Sequence, residues 1–160
     1  MYKEAYLLEN FYTRRECEFL MNYYKKHWKG YEWGESKYLR WNDTPFYHFR
    51  FNYLKWKYKR KVCKVLPFLK ISYGQLVEWE PGASKPRHID IDYNEEIQYT
   101  RWTSVCYLND NYGGGETVLD NVPVQPIQGN LILFCSREIP HGVEMVYNNN
   151  RYTSIVWWTI

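Results

Sequence analysis

Turn-forming residues recur at short intervals over residues 67–160, and this punctuation constrains the fold more than any other feature of the chain. Pro81-Gly82, Asn109-Asp110-Asn111, Gly113-Gly114-Gly115, Gln128-Gly129 and Asn148-Asn149-Asn150 interrupt it. Glycine and asparagine accept backbone conformations that other residues resist, and proline cannot donate to a strand ladder. Between the turns lie apolar runs too short for helices, at 72–78, 103–108, 116–119, 130–134, 143–147 and 152–159. Short strands at this spacing predict an antiparallel sandwich or jelly roll.

The first third reads differently. Thr13 and Glu16 fit a capping box, after which Phe19, Leu20, Tyr23, Tyr24 and His27 recur at helical spacing up to Gly30. Residues 30–45, rich in Gly, Trp and charge, read as a long connection. Residues 46–53 alternate as a strand would, but Leu54, Tyr58, Val62, Val65 and Leu66 have the helical period. A helix over about 51–66, ending before Pro67, is the expectation. The chain is thus expected to form one domain over 1–160, mainly β with N-terminal helices: a helical support region at 1–70 and a β core at 71–160.

Composition narrows the partners. The net charge is +3 with both signs mixed along most of the chain, so bulk attraction to nucleic acid is not expected. A basic run, Lys55, Lys57, Lys59, Arg60, Lys61 and Lys64, is interleaved with Trp56 and Tyr58. It reads as a solvated helix face, with polyanion binding as the alternative. No apolar stretch has the length of a membrane span, and no secretion signal is visible, so a cytoplasmic protein without a membrane partner is expected. Cys17, Cys63, Cys106 and Cys135 are scattered without a Cys-x-x-Cys pair and read as reduced thiols.

The chemistry is concentrated in four residues. His88 and Asp90 are two apart, so on an extended segment both project from one face, with Ile89 and Ile91 turned to the core. His141 follows the run at 130–134 after a short loop, and Arg151 opens the last run. Two imidazoles and one carboxylate are the ligand set that holds non-heme Fe(II) with coordination positions left open. A buried arginine is costly unless an anion meets it, and its planar fork suits a carboxylate. Each element alone is weak; their order and context give the signal.

Further elements complete a pattern. Trp79-Glu80-Pro81-Gly82 precedes His88-Ile89-Asp90. Tyr107-Leu108-Asn109 is followed by Gly114-Gly115-Glu116-Thr117, then by Gly129 to Phe134, His141-Gly142-Val143 and Arg151-Tyr152. The chain resembles the Fe(II)- and 2-oxoglutarate-dependent dioxygenases, in particular the prolyl 4-hydroxylase branch and, within it, the hypoxia-factor-type enzymes. The resemblance implies a double-stranded β-helix of the jelly-roll or cupin type, with helices packed on one side.

It also implies Fe(II), 2-oxoglutarate and O₂ as cofactors, with ascorbate as an accessory reductant. His88, Asp90 and His141 would bind iron. Arg151 would pair with the distal carboxylate of 2-oxoglutarate and Tyr107 would donate to it, with Trp79 and Thr153 in the same pocket. Trp157 would wall the substrate cavity, and residues 93–100, with Tyr93 and Glu95, fall where the family carries a substrate-covering loop, an ordinary polar connection being the alternative. Trp79, Lys85 and Ile155 depart from the family's tyrosine, tyrosine and threonine.

The expected reaction is hydroxylation of a prolyl residue in a peptide or protein. The alternatives are a same-fold oxygenase acting on a small molecule, and a non-catalytic metal-binding or interaction module. Asp90 favours hydroxylation over halogenation, in which halide needs that position vacant. Trp157 stands where nucleic-acid dealkylases of this superfamily carry a second arginine, which weighs against a nucleic-acid substrate.

Overall fold

A computed structural model describes residues 4–90 and 100–160. Strand β1 (Ala5–Leu8) leads into helix α1 (Arg14–His27), followed by β2 (Glu32–Trp33), β3 (Ser36–Arg40) and helix α2 (Phe49–Val65). Next come β4 (Lys70–Trp79), β5 (Lys85–His88), β6 (Trp102–Tyr107), β7 (Gly113–Gly114), β8 (Thr117–Leu119) and β9 (Val122–Val124). The chain closes with β10 (Leu131–Phe134), β11 (His141–Val143), β12 (Val146–Tyr147) and β13 (Arg151–Thr159). A seven-stranded antiparallel sheet in the order β1-β10-β6-β13-β4-β3-β2 faces a four-stranded one in the order β5-β11-β8-β9. The expected mainly β architecture of jelly-roll type, with helices on one side, is present.

The helices form for local reasons and stay for tertiary ones. Thr13 Oγ1 accepts the Glu16 amide while the Glu16 carboxylate accepts the Thr13 amide, and Lys57 of α2 closes the group at 2.7 Å from Glu16. Along α2 the buried positions are Phe51, Leu54, Tyr58 and Val62, one apolar stripe that lies on the large sheet. Tyr58 shares a 2.8 Å hydroxyl bond with Ser104 of β6, and the Trp158 indole donates to that same Ser104 oxygen at 2.8 Å. A serine in an aromatic core is thereby satisfied. The strand-like alternation at 46–53 is overridden because α2 starts at Phe49 and buries Phe51 and Leu54 together on its inner stripe.

Strand β13 organises the rest. Its β-branched and aromatic residues suit a central strand between β6 and β4. Tyr152, Val156 and Trp158 join the helix-side core, whereas Thr153, Ile155 and Trp157 align across β4 and β6 with Val77, Gln75 and Tyr73 and with Tyr107, Val105 and Thr103. The period of two divides the strand between a hydrophobic core and an internal cavity.

Three expectations are corrected. Residues 30–45 are not a plain connection but carry the β2–β3 hairpin, turning at Gly34 with φ +58° and pairing with β4. The run at 143–147 divides into β11 and β12, which belong to different sheets. Ile89 does not face the core; it is 39% exposed, because the segment leaves the ladder at His88. Ile91 lies outside the described residues. Among the described residues no helix is long and apolar enough to cross a membrane.

Candidate active site

The cavity between the two sheets has a volume of about 360 Å³. His88 ends β5 and His141 begins β11, and the two residues are direct partners across the ladder. Gly142 permits that pairing, since a Cβ there would stand 2.7 Å from the Lys85 carbonyl oxygen. The His88 and His141 ring centroids are 4.4 Å apart, and each Nε2 lies 3.4 Å from Asp90 Oδ1. The three side chains present ligand atoms within 4.8 Å of one another.

Their remaining atoms are held. His88 Nδ1 lies 2.9 Å from the Pro86 carbonyl oxygen and His141 Nδ1 2.9 Å from that of Ile139. Carbonyls only accept, so both Nδ1 atoms carry the proton, and in the neutral rings both Nε2 lone pairs point at the common centre. Thr103 Oγ1 donates to Asp90 Oδ2 at 3.0 Å and shares a 2.9 Å hydroxyl bond with Ser136, whose carbonyl accepts the Asp90 amide. Burial alone would raise the Asp90 pKa, but hydrogen bonds from His141 and His88 outweigh it and hold the carboxyl well below its usual range. The bond to Asp90 raises His88 above the ordinary imidazole value, against the opposing effect of burial.

The far end of the cavity is cationic. Arg151 is 1% exposed, with its guanidinium between the rings of Trp79 and Tyr107 at 5.9 and 5.7 Å from their centroids. Its Nε donates to the Gly115 carbonyl at 2.9 Å and its Nη2 to Thr117 Oγ1 at 3.1 Å, but Nη1 has no hydrogen-bond partner among the described residues. Gly115 is required there: at φ +65° a Cβ would stand 3.1 Å from Arg151 Cδ and 2.8 Å from the Tyr112 ring. Tyr112 Oη, Trp79 Nε1 and Thr153 Oγ1 are likewise buried without a hydrogen-bond partner among the described residues. Burial pushes the Tyr112 hydroxyl up to about 12 despite the nearby Arg151 charge, so it is a neutral donor. Buried donors without acceptors are costly, and this cluster calls for an anion.

The residues singled out from sequence fall into place as follows. His88, Asp90, His141, Arg151, Trp79 and Trp157 all line the cavity. Tyr107 stands one layer behind, donating its hydroxyl to Thr117 Oγ1 at 2.8 Å. Thr117, visible in the Gly114-Gly115-Glu116-Thr117 element but without an assigned role, accepts from both Tyr107 and Arg151, so its own proton is free for the cavity. Thr153 is buried beside Tyr107 in the β13–β6 register. Trp157 packs on Tyr73 at 5.6 Å and sits opposite Thr103, close to the His-Asp-His end. Tyr93, Glu95 and the whole segment 91–99 lie outside the described residues.

Sequence reasoning also missed the mouth. Trp33, Gly34 and Glu35 of the β2–β3 turn line it; the Glu35 carboxylate accepts the Ser84 amide at 2.7 Å, and Lys85 Nζ lies 5.4 Å from the Trp33 ring centroid. The Trp-Gly pair was the available signal. Asn109 was visible in the Tyr107-Leu108-Asn109 element but had no assigned role. It accepts the Tyr152 amide at 2.8 Å and donates to the Asn150 carbonyl, fixing the start of β13 and with it Arg151.

Comparison with known proteins agrees with this geometry. The model of the 2OG-Fe(II) oxygenase superfamily matches residues 74–159. The fold is similar to that of the viral collagen prolyl hydroxylase of Paramecium Bursaria Chlorella virus-1, solved as a 2OG complex, with a TM-score of 0.76 and 19% identity over 98% of this chain and 96% of that one. A Pseudomonas putida prolyl-4-hydroxylase gives a TM-score of 0.72 at 17% identity over 98% and 92% of the two chains. A Trichoplax adhaerens prolyl hydroxylase, solved with a hypoxia inducible factor peptide fragment, gives 0.73 at 21% over 97% and 83%. A search of curated protein sequences found no significant match.

The chain belongs to the 2OG-Fe(II) oxygenase superfamily. It is a 2-oxoglutarate-dependent dioxygenase, with Fe(II), 2-oxoglutarate and O₂ as its cofactors.

Proposed function

We propose that this enzyme hydroxylates a prolyl residue within a peptide or protein, through one catalytic domain spanning residues 1–160. In this reading His88, Asp90 and His141 hold Fe(II), and Arg151 holds the distal carboxylate of 2-oxoglutarate. The observation that carries it is the pairing of two convergent imidazole Nε2 atoms at one end of the cavity with a partnerless Arg151 Nη1 at the other. The residues present therefore fit both groups. When bound, the metal and co-substrate supply the oxidising power to place oxygen on an unactivated C–H bond.

The chain's own residues do the rest. Thr103 orients Asp90, the Pro86 and Ile139 carbonyls orient the two imidazoles, and Thr117 and Tyr107 brace the Arg151 fork. Val105, Phe134 and Ile155 line the cavity between its ends and exclude water. Trp157 offers a flat aromatic wall suited to a proline ring. The prolyl substrates of the structurally similar enzymes support this choice. All four cysteines are free, which suits a reducing compartment such as the cytoplasm.

The test is turnover with Fe(II), 2-oxoglutarate and a library of proline-containing peptides, followed by succinate release and mass spectrometry. One added oxygen per peptide, located on proline, is the expected result. Oxidation of free metabolites with no proline peptide modified would refute the peptidyl reading and leave the oxygenase assignment in place.

A further inference from the structure

The outward face of α2 is built unlike the rest of the surface. Between Asp43 and Glu78 the sequence has eight basic residues and no acidic one, although the whole chain is only +3. Phe49, Tyr53, Trp56 and Arg60 follow one another at helical spacing on the side opposite the buried stripe of Phe51, Leu54, Tyr58 and Val62. Phe49 is 75% exposed and the preceding Phe46 is 83% exposed at the start of the helix, while Lys59, Arg60 and Lys64 are exposed cations about 15–22 Å further along it. Clustered exposed aromatics of this size mark an interaction surface.

Two observations choose the occupant. The Trp56 ring, although 53% exposed, has Tyr53 stacked on it at 5.7 Å and the Arg60 guanidinium over it at 5.2 Å. It is not free to act as the open platform on which a nucleobase stacks. Beside Phe49, a groove of about 390 Å³ opens between the helices, lined by Phe19, Tyr23 and Phe51 together with the exposed Lys26 and Arg50. An apolar groove with cations at its side matches acyl chain and headgroup better than a phosphodiester backbone.

We propose that this face docks the enzyme onto an anionic lipid surface, with Phe46 and Phe49 entering the headgroup boundary and Lys59, Arg60 and Lys64 meeting the phosphates. The expectation of no membrane partner rested on the absence of a span, and interfacial docking needs none. The α2 face lies on the opposite side of the large sheet from the cavity, so a docked enzyme keeps its mouth toward solution.

Flotation with vesicles of phosphatidylcholine alone, or mixed about equally with phosphatidylglycerol, tests this. The full chain should float only with the anionic vesicles. Lys59→Ala/Arg60→Ala/Lys64→Ala should weaken that partitioning on the order of a hundredfold, at roughly fivefold per charge. Phe46→Ser/Phe49→Ser should weaken it about tenfold or more, and both variants should keep wild-type 2-oxoglutarate turnover. Equal flotation with neutral vesicles would overturn the proposal. So would undiminished binding by the phenylalanine variant, or release of the protein from vesicles by single-stranded oligothymidylate.

Discussion

The two ends of the cavity solve the same problem, buried charge, in opposite ways. At the histidine end every polar atom is paired within the protein: imidazoles to carbonyls and to Asp90, and Asp90 to Thr103. Protonated His88 beside the Asp90 carboxylate stands in for part of the positive charge a cation would supply. At the arginine end the guanidinium is only partly satisfied, and Nη1, Tyr112, Trp79 and Thr153 have donors with no acceptor among the described residues. The first end is preorganised for its ligand; the second depends on its ligand for electrostatic balance.

The largest expected effect breaks the histidine end. His141→Ala or Asp90→Ala should reduce 2-oxoglutarate-dependent succinate release to background while far-UV circular dichroism stays near native. Full activity in His141→Ala would remove it from the ligand set. Next is the arginine end. With Arg151 as the proposed anchor, Arg151→Ala should leave the co-substrate carboxylate unpaired at a cost of about 3–5 kcal/mol, a rise in KM for 2-oxoglutarate of hundreds-fold. Arg151→Lys, lacking the planar fork, should recover part of that loss, and a normal KM in Arg151→Ala would place the anchor elsewhere.

A subtler change sharpens the contrast. Thr103→Val removes the hydroxyl that orients Asp90 and should weaken metal affinity about 10- to 100-fold, with little change in 2-oxoglutarate binding to the metal-loaded enzyme. Equal loss at both ends would mean that they are not independent.

The smallest effect is a pH dependence. The folded-state pKa of His88 is raised, so protonated His88 beside Asp90 stabilises the metal-free protein fully below the ordinary value of 6.5. That stability fades as pH rises through the raised value. A divalent cation needs the same nitrogen unprotonated. The increase in Tm on adding Mn²⁺ should therefore be small in mild acid and grow as pH rises through that window, and a pH-independent increase would contradict the His88 assignment.

The contrast between the ends also explains what was legible in sequence. His88, Asp90, His141 and Arg151 stand at strand ends beside turns, where spacing and residue type can be read locally. Thr117 and Tyr112 reach Arg151 only because the glycine-rich segment folds back onto β13, a long-range fact with no local period. The β2–β3 hairpin was hidden because its turn is exposed and shows no apolar alternation. Strand β9 was missed for a related reason: Pro123 argues against a strand but is tolerated at the sheet edge, where a two-residue turn, Asp120-Asn121, with both φ positive, places it. Strand β5, Lys-Pro-Arg-His, has no apolar signature, and only the demand that His88 and Asp90 share a face exposed it.

Strand β13 carries a consequence for how the protein can fail. Arg151 and Trp157 serve the cavity while Tyr152, Val156 and Trp158 serve the helix-side core. Slipping the strand by one residue would drive the arginine toward the helices and pull Trp158 out of its contacts with Tyr58 and Ser104. A misregistered molecule would forfeit its core along with the place of Arg151 in the cavity, so it has little prospect of persisting as a folded but inactive species. Selection for a stable chain and selection for a working oxygenase thus act on the same strand alignment, and quality control of one is quality control of the other.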